Sequence, residues 1–126
     1  MDDMSNSILV VEDDADTRAG LVGFLESEGF TVLAAENGRQ ALDLLERSCS
    51  APRLILLDLM MPVMDGWQFL AARPKSGARS SVVLLSGLTF IEGATDVADF
   101  IRKPIDLGVL RTCVRRFCGS PAKPTA

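Results

Sequence analysis

Glu12, Asp13, Asp58, Ser86 and Lys103 each stand at the end of a stretch that reads as a β-strand, and together they offer three carboxylates, a hydroxyl and an ammonium. Carboxylates crowded into one pocket raise each other's pKa or recruit a cation. A hard divalent cation such as Mg²⁺ takes oxygen ligands, keeps several waters and pairs naturally with phosphate. One carboxylate of such a group can act as a nucleophile and take a phosphoryl group as a mixed anhydride, while an ammonium and a hydroxyl hold the phosphoryl oxygens as charge moves. Taken singly, each residue has a plainer explanation. An acid after a strand often caps the next helix, as Asp14 or Asp16 would here, Asp58 and Ser86 suit turns, and Lys103 suits a solvated surface. The joint pattern is what points to chemistry: separate strands deliver these groups, and no polar residue interrupts the strand interiors.

What is missing narrows the field. The sequence has no histidine, which removes the Ser-His and Cys-His nucleophilic pairs. Its three cysteines, Cys49, Cys113 and Cys118, form no Cys-x-x-Cys, so a zinc site is not expected. They read as reduced, mostly buried thiols.

The elements that must position these residues alternate in period. Ile8-Leu9-Val10-Val11 is a continuous apolar run, as in a strand buried on both faces. A helix follows from about Asp16 to Glu28, with Leu21, Phe24 and Leu25 on one face and Gly29 as its stop. Thr31–Ala35 reads as a second strand, Asn37-Gly38 as a turn, and Ala41, Leu42 and Leu45 as the inner face of a second helix. Leu54-Ile55-Leu56-Leu57 is a third strand running into Asp58. Trp67, Phe69 and Leu70 open a third helix, which Pro74 stops. Val82-Val83-Leu84-Leu85 closes on Ser86-Gly87, and Phe100-Ile101-Arg102 leads into Lys103-Pro104. Asp106 caps a last helix in which Leu107, Leu110, Val114 and Phe117 share a face, and Gly119 ends it. Five strands alternating with helices specify a three-layer α/β sandwich around a parallel sheet. In such sheets ligands sit outside the carboxyl ends of the strands, where the five chemical residues fall.

Composition bounds the rest. A chain of 126 residues, 48% apolar and 24% charged, suits one domain with one core. The domain is expected over residues 7–118, with tails at 1–6 and 119–126. Thirteen basic and 17 acidic residues leave a net charge of −4, the wrong sign for direct binding to nucleic acid. No apolar run approaches the ~20 residues of a membrane span. Met1-Asp2-Asp3-Met4 is acidic where a secretory signal is basic, so the expected location is cytoplasmic, away from membranes.

Four motifs, in order, carry a resemblance to a known family: Ile8 to Asp14, then Leu57-Asp58-Leu59-Met60-Met61-Pro62-Val63-Met64-Asp65-Gly66, then Leu85-Ser86-Gly87, then Lys103-Pro104. From about Ser7 to Cys118 the chain resembles the receiver domain of two-component response regulators. The resemblance implies a flavodoxin-like (βα)5 fold with strand order 2-1-3-4-5, an order that serves as a standard illustration of the switch-point rule. It implies that Asp58 is the phosphoacceptor, that Asp13 binds Mg²⁺ directly and Glu12 through water, and that the Met60 carbonyl completes the protein ligands. It further implies Ser86 as a switch hydroxyl, Phe100 as a switch aromatic, Lys103 as a phosphoryl contact and a cis peptide before Pro104. The implied partners are a sensor histidine kinase or phosphotransfer protein upstream and an unidentified protein target downstream. Only eight residues follow Cys118, so a stand-alone receiver without an output domain is the expectation. Met60 and Leu88, which flank the path of attacking water in the family, are apolar here, which predicts slow self-dephosphorylation.

Rival readings fare worse. An aspartyl-nucleophile phosphohydrolase carries a second acid two residues after its nucleophile, where this chain has Met60. A flavin-binding protein of this fold needs a phosphate loop after the first strand, and Glu12-Asp13-Asp14 would repel the phosphate. A phosphorylation-independent adaptor with the same fold stays open, because a fold does not guarantee a function. One departure from the family is visible. Leu88 to Asp99 must supply the whole crossover before the fifth strand, close to the minimum of roughly 10–12 residues. With Gly93, Thr89, Ile91, Thr95 and Val97 in it, this segment predicts a fourth helix of about one or two turns, short or irregular. In the family the surface around that helix commonly carries dimerisation, and a truncated helix cannot supply its usual share of it, so the resemblance implies a chain that stays monomeric or dimerises elsewhere.

Overall fold

A computed structural model describes residues 7–47, 51–59, 61, 63–73, 80–87 and 97–119. In chain order the elements are β1 (Ser7–Val11), α1 (Ala15–Ser27), β2 (Thr31–Ala35), α2 (Gly38–Arg47), β3 (Leu54–Asp58), α3 (Gly66–Ala72), β4 (Ser81–Ser86), β5 (Asp99–Arg102) and α4 (Leu107–Cys118). All the strand pairs are parallel, and the sheet order is β2-β1-β3-β4-β5. This is the flavodoxin-like order expected from the motifs.

The sheet is coated on both sides because its central strands are apolar throughout their interiors, with polar residues only at their ends. Every residue of β1 and β3 is buried, and β4 is buried from Val82 onward. Alternate side chains serve opposite layers. Ile8, Val10, Leu54, Leu56, Val83 and Leu85 pack under α1 and α4. Leu9, Val11, Ile55, Leu57, Val82 and Leu84 pack under α2 and α3. The outer strands β2 and β5 keep exposed positions, as sheet edges must.

The helix ends follow local chemistry. Asp14 accepts hydrogen bonds from the Thr17 backbone N–H and hydroxyl, 2.8 and 2.7 Å long, and starts α1. Gly29 ends the segment with φ 97°, a conformation that suits a residue without Cβ. Asp65 and Gln68 form a reciprocal capping box on α3. Arg73, the residue before Pro74, turns extended with ψ 146°, as the proline ring requires. Asp106 caps α4 through the Val109 N–H at 3.0 Å.

Two expectations need correction. Asn37-Gly38 is a helix start, not a free turn: Asn37 accepts from the Gln40 N–H at 2.9 Å, and Gly38 is already helical. A side-chain acceptor one position before a helix caps it as readily as it makes a turn. Leu107 does not share the inner face of α4 but is 48% exposed. It is the first helical residue after the Asp106 cap, and the buried row is Leu110, Cys113, Val114 and Cys118, with Phe117 half-buried beside it. Cys113 and Cys118 are free, buried thiols as expected. Cys49, both tails before Ser7 and after Gly119, and the predicted fourth helix within Leu88–Asp96 lie outside the described residues.

Candidate functional site

Parallel strands all end at one edge of the sheet, and the register there sets the site. Val11 of β1 is level with Leu57 of β3, so Glu12 and Asp58 are the next residues on neighbouring strands, about 4.8 Å apart by strand spacing. On the other side, Asp58 pairs with Leu85, which places Ser86 one step beyond it on β4. Ser86 pairs in turn with Arg102, and its carbonyl accepts from the Lys103 N–H at 2.7 Å. Four strands thus bring Glu12, Asp13, Asp58, Ser86 and Lys103 to one edge.

Glu12 and Asp58 are almost fully enclosed, at 1% and 3% exposure, and Ser86 is equally buried at 3%. Asp13 stands exposed at the strand end. Glu12, Asp13 and Asp58 each present a carboxylate oxygen within 4.8 Å of the others. The Lys103 ammonium lies 3.1 Å from Glu12 Oε1 and 3.3 Å from Asp58 Oδ1, and Glu12 Oε2 also accepts from the Asp14 N–H at 3.3 Å.

The electrostatics follow from this crowding. Burial first, and then the Glu12 carboxylate, push the Asp58 carboxyl up to about 7, against the pull of Lys103. Burial works against the charged form of Lys103, yet the hydrogen bond to Glu12 and the charges of Asp58 and Glu12 outweigh it and hold the ammonium above its ordinary range. The donor set fits a hard divalent cation: three carboxylates converge, all donors are oxygen, and excess negative charge is gathered in a partly desolvated pocket.

Phe100 lies on β5, pointing away from the core with 42% of its surface exposed. The Lys103-Pro104 peptide is cis. Met60 and Leu88 lie outside the described residues.

Two contacts around the site were not legible in the sequence. Arg18, in the opening turn of α1, donates through Nη1 to the Glu12 carbonyl at 2.8 Å and to the Asp13 carbonyl at 3.4 Å. A cation there opposes the helix dipole, and that misplacement is the one sequence signal that it has a local partner. On the far side, the segment after β3 rests on the start of α2, where the Gly38 N–H donates to the Met64 carbonyl at 3.1 Å. Gly66 closes the same segment, and a Cβ there would meet the Asp58 carbonyl at 2.8 Å.

The comparisons with known proteins agree with this geometry. Residues 8–115 match the family described as the response regulator receiver domain. An uncharacterized 14.6 kDa protein of Leptolyngbya boryana is 36% identical over 119 residues, covering 88% of each chain. The regulatory protein AtoC of Escherichia coli K12 is 33% identical over 116 residues, which are 88% of this chain but 25% of that protein. Among solved structures, a CheY-like receiver domain from Methanospirillum hungatei superposes with a TM-score of 0.78 at 32% identity, covering 90% of this chain and 94% of that one. By sequence, by sheet order and by the family match over most of its length, this chain belongs to the response regulator receiver domain family.

Proposed function

We propose that this chain accepts a phosphoryl group on Asp58 from a sensor histidine kinase or phosphotransfer protein, in a Mg²⁺-dependent step, and thereby changes its affinity for a protein partner. Receiver domains are signalling phosphoacceptors rather than enzymes in the ordinary sense, and the reading extends that family role to named residues. The observation that carries it is the convergence of three carboxylates within 4.8 Å of one another, with the Lys103 ammonium 3.3 Å from one of them. A single carboxylate beside a lysine is an ion pair. Three acids against one lysine leave charge that a proton or a cation must balance.

In this reading Asp58 is the nucleophile. One of its oxygens attacks phosphorus, and the donor's bond to phosphorus breaks with its electron pair leaving on the donor. Glu12, Asp13 and Asp58, with the Met60 carbonyl, would hold Mg²⁺, which when bound supplies positive charge to neutralise the carboxylates and the phosphoryl oxygens. Lys103 turns its ammonium from Asp58 toward the incoming phosphoryl oxygens. Ser86, buried at the end of β4, offers its hydroxyl to the same oxygens, and Phe100 on neighbouring β5 is the aromatic that responds. The working location is cytoplasmic, where such donors act. Among the described residues, no helix is long and apolar enough to cross a membrane.

The test is direct. Incubated with acetyl phosphate and Mg²⁺, the protein should gain the mass of one phosphoryl group, lost on treatment with base, and chelation of the metal should prevent the gain. Asp58→Asn should show none while retaining its fold. Phosphorylation of that variant at another residue, or no phosphorylation of the wild type by any donor, would sink the assignment and favour a phosphorylation-independent adaptor.

A further inference from the structure

We infer that Arg18 is a positioning residue for the acidic site: its guanidinium clamps the two peptide units on either side of the Asp13 Cα and so steadies the Cα–Cβ direction from which the Asp13 carboxylate reaches the site. The inference rests on the Mg²⁺-dependent reading above, and it assigns a role to a residue outside the converging carboxylates.

The geometry supplies the argument. The Glu12 carbonyl belongs to the peptide unit before Asp13, and the Asp13 carbonyl to the unit after it. One nitrogen, Arg18 Nη1, donates to both, at 2.8 and 3.4 Å. Peptide units are planar, so holding the planes on both sides of a Cα sets its two backbone angles and with them the Cα–Cβ direction. This matters most for Asp13. Glu12 is enclosed at 1% exposure and tied by Lys103 and the Asp14 N–H, whereas Asp13 is exposed just beyond the last strand residue. Its backbone is the means of aiming it.

The clamp is itself anchored. The Arg18 N–H donates to the Asp14 carbonyl at 2.8 Å, and Asp14 is held by both the N–H and the hydroxyl of Thr17. The guanidinium therefore reaches back from a fixed turn of helix. Its charge alone would act the other way: a cation near the acidic cluster repels Mg²⁺. The two effects differ in sign, which makes them separable.

The experiment is calorimetric titration of Mg²⁺ alone into the wild type, Arg18→Ala and Arg18→Lys, with acetyl phosphate kinetics measured across Mg²⁺ concentration. Partners that orient metal ligands are commonly worth 10–100-fold in metal affinity, so Arg18→Ala should weaken Mg²⁺ binding by about ten-fold. Its phosphorylation rate should recover close to the wild-type rate at saturating Mg²⁺. Arg18→Lys keeps the charge and one donor and should recover part of the affinity. Unchanged or tighter Mg²⁺ binding in Arg18→Ala overturns the clamp, because it leaves only the charge. A maximal rate that falls while the Mg²⁺ midpoint stays put also overturns it. Should Arg18→Ala fail to fold, Arg18→Lys decides alone: affinity equal to the wild type overturns the clamp, and an intermediate loss supports it. A wild type that binds no Mg²⁺ overturns the reading beneath the inference, a result distinct from any of these.

Discussion

Asp58 must be ionised to act as a nucleophile, yet its surroundings favour the protonated form. Burial and the Glu12 carboxylate push it up to about 7, whereas an unfolded aspartate titrates near ~3.9. Between those values the folded protein holds a proton that the unfolded chain has released. The stabilising contribution is therefore complete below about pH 4 and is lost as pH rises through about 7. Metal-free protein should lose stability over that window, by up to about 4 kcal/mol, since each pH unit between the two values is worth about 1.4 kcal/mol. Asp58→Asn removes the titrating group and should be the more stable protein at pH 8. If Mg²⁺ takes the place of the proton, as the proposed function requires, it should raise the melting temperature more at pH 8 than at pH 5. Melting curves across pH, with and without Mg²⁺, check all three statements, and an Asn variant less stable than the wild type at pH 8 contradicts them.

At the scale of elements, the sequence was most readable where periodicity and caps agree. The continuous apolar runs of β1, β3 and β4, and the acids or serine on which they close, were legible because a strand buried on both faces leaves no other pattern. Asp106 and Gly119 bracket α4 as they were expected to. Legibility failed where a tertiary contact decided the outcome. Asn37-Gly38 carries the composition of a turn, and only the segment after β3, 26 residues on from Gly38 at Met64, shows why glycine is needed. A Cβ at Gly38 would lie 2.7 Å from Met64 Cγ and 2.9 Å from its carbonyl oxygen, closer than packed atoms tolerate. Gly38→Ala should therefore destabilise the protein by about 1–3 kcal/mol, even though alanine is the better helix former. Met64→Ala in the same chain should return part of the loss, since it removes the side-chain clash and leaves the carbonyl. Urea denaturation of the single and double variants is the measurement. A Gly38→Ala protein as stable as the wild type would show that the segment moves aside freely. Capping is a simpler case: Asp14→Ala should cost about 1 kcal/mol by the same assay.

At the scale of the molecule, the site stands on a sheet whose two faces share one strand. The α1 and α4 side is built on Leu54 and Leu56, and the α2 and α3 side on Ile55 and Leu57, all from the one strand that ends in Asp58. Adjacent residues of β3 thus belong to different layers, and a void on one side is felt through the backbone on the other. Trp67, the only tryptophan, lies on α3, while Leu56, fully buried, packs beneath α1 and α4. Leu56→Ala should cost about 2–5 kcal/mol through lost burial and the cavity left behind. If the layers unfold as one unit, the Trp67 fluorescence transition should shift to lower urea by as much as the far-ultraviolet circular dichroism transition. The opposite layer would then report a cavity it does not touch. A fluorescence midpoint that stays at its wild-type value while the dichroism midpoint falls would mean that the two layers open independently, and that β3 does not carry strain across the sheet to the edge where Asp58 stands.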